Sequence, residues 1–232
     1  MGTLYIVATP IGNMGDLTIR AIDVLQTVDI IACEDTRRTG VLLKHIRDTY
    51  PKEGTLKPQL ISYYEQNEIR RIEEIIALLK NGQHVALVSD AGTPLVSDPG
   101  YRLVHACAEE GIPMISLPGA SSVLTALTIS GLPSDKFLFV GYPPHKSGNR
   151  KKLFESVKNE PLSATIIFLE APHKVLKTLT ELQEVVGDVD IVICRELTKT
   201  YEEVRREKIS ASLTHFENTT PKGEFTILFH LS

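Results

Sequence analysis

The sequence predicts an α/β fold made of two α/β domains with a cleft between them. Three observations carry this expectation. Apolar runs rich in branched residues alternate with helix-period segments almost from end to end, the pattern of βαβ units around a largely parallel sheet. The 232 residues, 42% of them hydrophobic, are enough for two cores. Pro118-Gly119 interrupts the chain where strands and helices divide evenly, so the expected domains are 1–117 and 118–232. A second stretch rich in Pro and Gly, at 143–148, is the less even break.

Taken in order, LYIVAT (4–9) reads as a buried strand. DLTIRAIDVLQTV (16–28) places Leu17, Ala21, Val24, Leu25 and Val28 at helical spacing, with Asp16 as the expected N-cap. VDIIAC (28–33) is a second strand, and TRRTGVLLKHI (36–46) a helix that Gly40 weakens. A polar loop over 48–58 precedes the strand LISYY (60–64). EIRRIEEIIALLKNG (68–82) is strongly amphipathic and stops at Gly82. HVALVSD (84–90), RLVHACAEEG (102–111) and PMISLPG (113–119) continue as strand, helix and strand. The second half repeats the habit, with SSVLTALTISG (121–131) as helix and FLFVGYP (137–143) as strand. A basic loop leads into KKLFESVKN (151–159), followed by the strand ATIIFLE (164–170) and the helix VLKTLTELQEVVG (175–187). DIVICREL (190–197) and EFTILFH (224–230) are strands, VRREKI (204–209) is a candidate strand, and SASLTHFEN (210–218) is a short helix.

Composition narrows the class. Charged residues make up 23% and the formal net charge is −4, without the basic surplus common in nucleic-acid binders, although a local basic patch survives such a sum. Cys33, Cys107 and Cys194 stand singly, which fits buried thiols in a reducing, cytoplasmic setting rather than a disulfide framework. The histidines and cysteines show no zinc spacing, so no metal is expected. MGTLYIVATPIGN lacks the regions of a signal peptide, and no apolar run reaches the length of a membrane span, so no membrane partner is expected.

Several common ligand motifs are absent. The loop after the first strand reads TPIGNMGD rather than G-x-G-x-x-G, and neither a P-loop nor a G-x-S-x-G elbow occurs. Nor does an acid run into a glycine-rich loop of the common methyltransferase type. What remains are TPIGNMGD (9–16), CEDTRR (33–38), SDAGTPLVSDPG (89–100) and PGASS (118–122), each following a strand. Open α/β sheets bind ligands at the carboxyl ends of their strands. Any one of these loops is explained by turn chemistry; four in register point to a ligand site.

Glu34 and Asp35 are candidates to orient a hydroxyl or take its proton, with Arg37 beside them, although the same residues suit a capped helix start with an ion pair. FLEAPHK ends a strand with Glu170 and His173. Arg195 and Glu196, with Lys199, end the next and equally suit a surface ion-pair cluster. The loop HKSGNRKK (145–152) reads as a solvated helix start or as a phosphate-contacting patch.

Together the stretches LYIVATPIGNMGDL, IIACEDTRRTGVLLKHI, VALVSDAGTPLVSDPGYRLV, GIPMISLPGASS, FLFVGYPP, IFLEAPHKVL, ICRELTKTYEEV and PKGEF resemble the tetrapyrrole methylase superfamily of class III S-adenosylmethionine methyltransferases. The resemblance covers essentially the whole chain, and SDAGTP–SDPG with CEDTRR is similar to the branch acting on ribosomal RNA rather than on corrins or haem precursors. It implies a two-domain fold that folds S-adenosyl-L-methionine into the cleft, and 2′-O-methylation of a cytidine in the decoding region of 16S rRNA. It also implies the assembled 30S subunit as partner and a homodimer. Methylation of a tetrapyrrole precursor, and a non-catalytic RNA-binding module of the same fold, are the alternatives.

Carried over by position, the cofactor loop falls on Ala91, Gly92, Thr93, Pro94, Val96 and Ser97. Thr93 stands where relatives often hold Asp, which points to Asp90 or Asp98 for the displaced carboxylate. The other implied contacts are Pro10 and Ile11, Ser121 and Ser122, Leu169, and Gly223. The chain stops at Ser232, whereas relatives resembling it often continue into a further small segment. An acidic, rigid loop without a lysine suits a cationic, phosphate-free ligand better than a phosphate.

Overall fold

The computed structural model describes residues 1–54, 57–160 and 163–231, so part of the loop expected over 48–58 and the terminal Ser232 lie outside the described residues. The strands of the first half are short runs dominated by branched or small apolar residues, which suit a sheet buried on both faces. β1 (Leu4–Val7), β2 (Ile30–Cys33), β3 (Gln59–Ser62), β4 (Val85–Val88) and β5 (Met114–Leu117) pair only in parallel, in the order β3-β2-β4-β1-β5. Side chains alternate across the sheet: Ile31 and Cys33 of β2 enter one apolar cluster, Ile30 and Ala32 the other. The helices α1 (Ile19–Thr27), α2 (Thr36–Thr49), α3 (Glu68–Lys80) and α4 (Tyr101–Glu109) return the chain between strands. Parallel pairing therefore puts the loops after all five strands along one edge.

Two local expectations change. Asp16 does not cap α1; it lies in a 3-10 turn over Met14–Asp16, itself capped by Asn13. Thr18 is the N-cap, accepting from the Ala21 amide at 3.2 Å. Leu17 is buried, so the helix must start after it to let that side chain reach the core. The helix expected over 36–46 is present with Gly40 inside it and runs on to Thr49.

The second half contains α5 (Ser122–Ser130), β6 (Phe137–Phe139), α6 (Ser147–Lys158), β7 (Thr165–Glu170), α7 (Val175–Val186), β8 (Asp190–Arg195), β9 (Glu203–Lys208), α8 (Ile209–Asn218) and β10 (Phe225–His230). Its sheet runs β6-β7-β10-β8-β9, and only β6 and β7 are parallel. The expectation of a largely parallel sheet fails here because the β8–β9 connection, residues 196–202, is too short for the crossover that parallel strands need. Phe154, Phe168, Phe216, Phe225 and Phe229 share one buried cluster, with Phe216 and Phe225 edge to face at 81°. Arg150 is buried beneath α7, 2.7 Å from Glu181.

The chain divides into the units Met1–Ser121 and Ser122–Ser232. The 118–121 loop belongs to the first because Thr93 Oγ1 donates to the Ala120 carbonyl at 3.0 Å, and Gly119 packs on Ala8. All three cysteines are buried and unpaired. No described helix is long and apolar enough to cross a membrane.

Capping gives a direct check. Thr18→Ala should lower the urea-unfolding free energy by about 1 kcal/mol, whereas Asp16→Ala should change it by less than about 0.5 kcal/mol. Equal effects would place the helix start wrongly.

Candidate functional site

In the first unit the strand-end loops are tied to one another by backbone. Thr9 and Gly92 exchange both hydrogen bonds, the Thr9 amide donating at 2.8 Å and the Gly92 amide at 3.0 Å. Thr9 Oγ1 also donates to the Ser89 carbonyl at 3.1 Å. Gly92 holds φ +82°, and a Cβ there would press on Ile11 at 3.3 Å. Beyond it the chain stays strained: Leu95 (φ 73°) and Ser97 (φ 65°) are left-handed residues with side chains, each costing roughly 1–3 kcal/mol. Such geometry persists only where neighbours enforce it. Pro94 is buried, while Val96 is 40% exposed.

The carboxylates of this edge hold distinct positions. The Asp90 amide donates to Glu34 Oε1 at 3.2 Å, and the Asp35 amide to Asp90 Oδ1 at 3.2 Å. Arg38 Nη1 is 3.3 Å from Asp90 Oδ2. Asp35 caps α2, accepting from the Arg37 amide at 2.8 Å and from its guanidinium at 2.7 Å. These bonds from Arg37 hold the Asp35 carboxyl far below its usual range. Burial and the charge of Asp98 push Glu34 up to about 7, against the bond from the Asp90 amide. Burial likewise raises Asp98 to about 6; a bond from Ser89 opposes the rise and Asp90 adds to it. Glu34 is thus the carboxyl here that changes charge near neutrality.

Beside these groups lies a cavity of about 270 Å³, lined in part by Thr9, Pro10, Arg38, Thr39, Ser89 and Asp90. Sequence reasoning placed Pro10 and Asp90 here but missed Thr9 and Ser89. Their signal is a hydroxyl residue just past the last apolar residue of a strand. Arg37 points to solvent, 89% exposed at its side chain, and Arg38 takes the carboxylate of the next loop. Ser121 closes this unit and Ser122 opens α5 of the next.

The second unit gathers its own edge. Phe225 is paired with Glu170 on one side and Arg195 on the other, so these strand ends lie in one row. Glu170 is buried and fully engaged, accepting from the Ala171 amide at 2.8 Å and Thr178 Oγ1 at 2.5 Å. Leu169 is bonded through its amide to the Gly141 carbonyl, and His173 is exposed in the 3-10 turn that follows. Arg195 pairs with Glu203 at 2.8 Å. Glu196, at φ 51°, accepts from Lys199 Nζ at 2.9 Å and from the Glu224 amide at 3.0 Å. Burial pushes the Glu196 carboxyl up, but those two bonds outweigh it and hold it below its ordinary value. Lys199 also reaches Glu224 at 3.0 Å. Gly223, at φ +90°, lies against Glu196, and a Cβ there would overlap the glutamate side chain.

The sequence matches the family described as Tetrapyrrole (Corrin/Porphyrin) Methylases over residues 3–212. The chain belongs to this family. It is 48% identical to the ribosomal RNA small subunit methyltransferase I of Synechocystis sp., over 98% of this chain and 78% of that one. It is 46% identical to the Thermotoga maritima protein of the same name, over 98% of both chains. Its fold is similar to that of uroporphyrin-III C-methyl transferase from Thermus thermophilus complexed with S-adenyl homocysteine, with a TM-score of 0.67, 17% identity, and coverage of 98% and 97% of the two chains. In this family member the matched span takes in both strand-end edges up to β9, and leaves Gly223 and β10 beyond it.

Titration tests the first edge. A carboxyl with a raised folded pKa binds its proton more tightly in the folded chain. Its contribution to stability is full below the ordinary carboxyl range and is lost as pH rises through the folded value. Wild-type urea midpoints should therefore fall as pH rises toward 7, and Glu34→Gln should remove the part of the fall above about 6, leaving that of Asp98. Indistinguishable pH profiles would refute the shift at Glu34. For the second edge, Gly223→Ala should lower unfolding stability by roughly 1–3 kcal/mol through the clash and the strained φ; an unchanged midpoint would rule the contact out.

Proposed function

We propose that this chain is an S-adenosylmethionine-dependent methyltransferase that transfers a methyl group to the 2′-oxygen of a cytidine ribose in small-subunit ribosomal RNA. The observation that carries this reading is similarity at 46–48% identity, over 98% of this chain, to relatives named for small-subunit rRNA methylation. The uroporphyrin-III enzyme of the same fold shares only 17%. The reading extends to the assembled 30S subunit as substrate, a homodimer and a cytoplasmic setting.

The chemistry of the first edge fits the cofactor. S-adenosylmethionine carries a cationic sulfur and an amino-acid tail but no phosphate. The loops hold Glu34, Asp35, Asp90 and Asp98 and no lysine, and their two arginines, Arg37 and Arg38, are paired with Asp35 and Asp90. When bound, the cofactor supplies an electrophilic methyl group on that sulfur.

The protein's residues do the rest. The Thr9–Gly92 bridge fixes the loops on which a ligand is oriented, and orientation supplies much of the rate of a displacement. Asp90 is held in place by Arg38 and the Asp35 amide, which suits it to bind rather than to accept a proton. Glu34 is our choice to take the ribose proton, because a base works best when its pKa lies near the working pH. Asp35 and Glu170 have their oxygens committed to caps and turns. Glu196 and Lys199, locked to Glu224, form a rigid ion pair suited to orienting the substrate ribose or phosphate.

Purified protein with labelled cofactor should methylate 30S subunits in preference to naked 16S rRNA, with the label mapping to a cytidine 2′-oxygen. At saturating substrates Glu34→Gln should lower turnover by about 10²–10⁴-fold, and Asp35→Asn by far less. Full turnover by Glu34→Gln would remove it as the base. Absence of transfer to any ribosomal RNA would end the reading.

A further inference from the structure

Resting on the methyltransferase reading, we propose that His145, Lys146, His173 and Lys174 form a surface that grips the phosphate backbone of the ribosomal RNA substrate. The chain is acidic overall, at −4, yet residues 143–152 and 171–177 contain Lys146, Arg150, Lys151, Lys152, Lys174 and Lys177 and not one Asp or Glu. Charge of one sign gathered in two segments of an acidic protein is a local reversal, and it fits a polyanion.

The fold brings the two segments together. Arg150 and Lys151 on α6 are spent on Glu181 and Glu184 of α7, at 2.7 and 2.5 Å. Further along, Lys158 bonds the Val185 carbonyl at 2.8 Å, so the helices run side by side in the same direction. Their starts are therefore neighbours, and Lys174 Nζ lies 3.5 Å from His145 Nε2. Among the described residues no carboxylate lies within ion-pair distance of Lys146 or Lys174. His145, Lys146 and His173 are exposed.

The platform beneath is rigid. Arg150 is 2% exposed, and its Nη1 donates to the carbonyls of Pro144 and His145 at 2.9 and 3.3 Å. The loop that carries His145 and Lys146 is thereby held from inside, so little ordering remains for a ligand to impose. Arg150 Nη2 is buried behind the same loop without a hydrogen-bond partner among the described residues.

Among the described helices, the starts of α3, α4, α6, α7 and α8 carry no side-chain cap. Asn13, Thr18 and Asp35 each cap a helix with a side-chain acceptor. At α6 the N-cap is Lys146, which offers no acceptor and sets a cation against the positive end of the helix dipole. An RNA phosphate would meet both the lysines and the open amides of this turn.

The test uses the whole protein, with 16S rRNA and 30S subunits as probes. Binding is measured over a series of salt concentrations for the wild type, Lys146→Ala/Lys174→Ala and Lys146→Arg/Lys174→Arg. The alanine pair should lower the slope of log affinity against log salt by about 1.4, roughly 0.7 per lost contact, and raise the KM for ribosomal RNA about tenfold. The arginine pair should restore the slope, and calorimetric affinity for the cofactor should stay as in the wild type. An unchanged salt slope in the alanine pair overturns the proposal, as does binding to anionic lipid vesicles with no effect on rRNA. Because the slope is read from binding, it decides the matter even if the wild type transfers no methyl group, a result that would count against the functional reading instead.

Discussion

The reciprocal pair of backbone bonds between Thr9 and Gly92 is the constraint on which the first unit's edge depends. A parallel sheet only brings strand ends to the same side; it does not fix the loops that leave them. Here the loop after β1 is fastened to the loop after β4, and Thr93 carries that fastening on to Ala120 after β5. Gly92 makes the junction possible, because its backbone is left-handed where Ile11 leaves little room for a side chain. Leu95 and Ser97 then hold conformations they would not adopt alone. The strain is bearable because the bridge on one side and the buried Pro94 leave the loop few other paths.

That fixed frame explains why three nearby carboxyls behave differently. Asp35 meets a guanidinium and its own helix amides, and stays ionised. Glu34 meets burial and the charge of Asp98, Asp98 meets burial and the charge of Asp90, and both hold their protons to higher pH. The three residues are alike in type, and their separate roles come from position alone. The second unit solves its own charge problem by pairing: Arg195, Glu196, Lys199, Glu203, Arg205 and Glu224 neutralise one another along the β8–β9–β10 edge.

The alternation of strands and helices was legible in the sequence because period and turn chemistry are local properties. So were the four loops, since Pro, Gly and hydroxyl residues declare turns wherever they fall. Asp16 misled because a good capping residue stood just before another, and only the need to bury Leu17 favours Thr18. The antiparallel second sheet was hidden because a run such as DIVICR reads alike in either direction; the short return to VRREK decides it. Glu170 could not be separated from a reactive acid without Thr178, eight residues on along a helix. The proton affinity of Glu34 depends on Asp98, which lies far along the chain.

The two sheets also set different timetables for the chain as it is made. β8 closes on β9 across a short return, so that pair can form as soon as it is synthesised. β1 sits between β4 and β5, and Leu4 waits for Val85. At about 5–20 residues per second, the apolar run LYIV spends roughly 4–16 s without its partner strand. The strand that opens this sheet in chain order is thus among the last of its unit to be covered, and during that interval its apolar side chains are open to a chaperone.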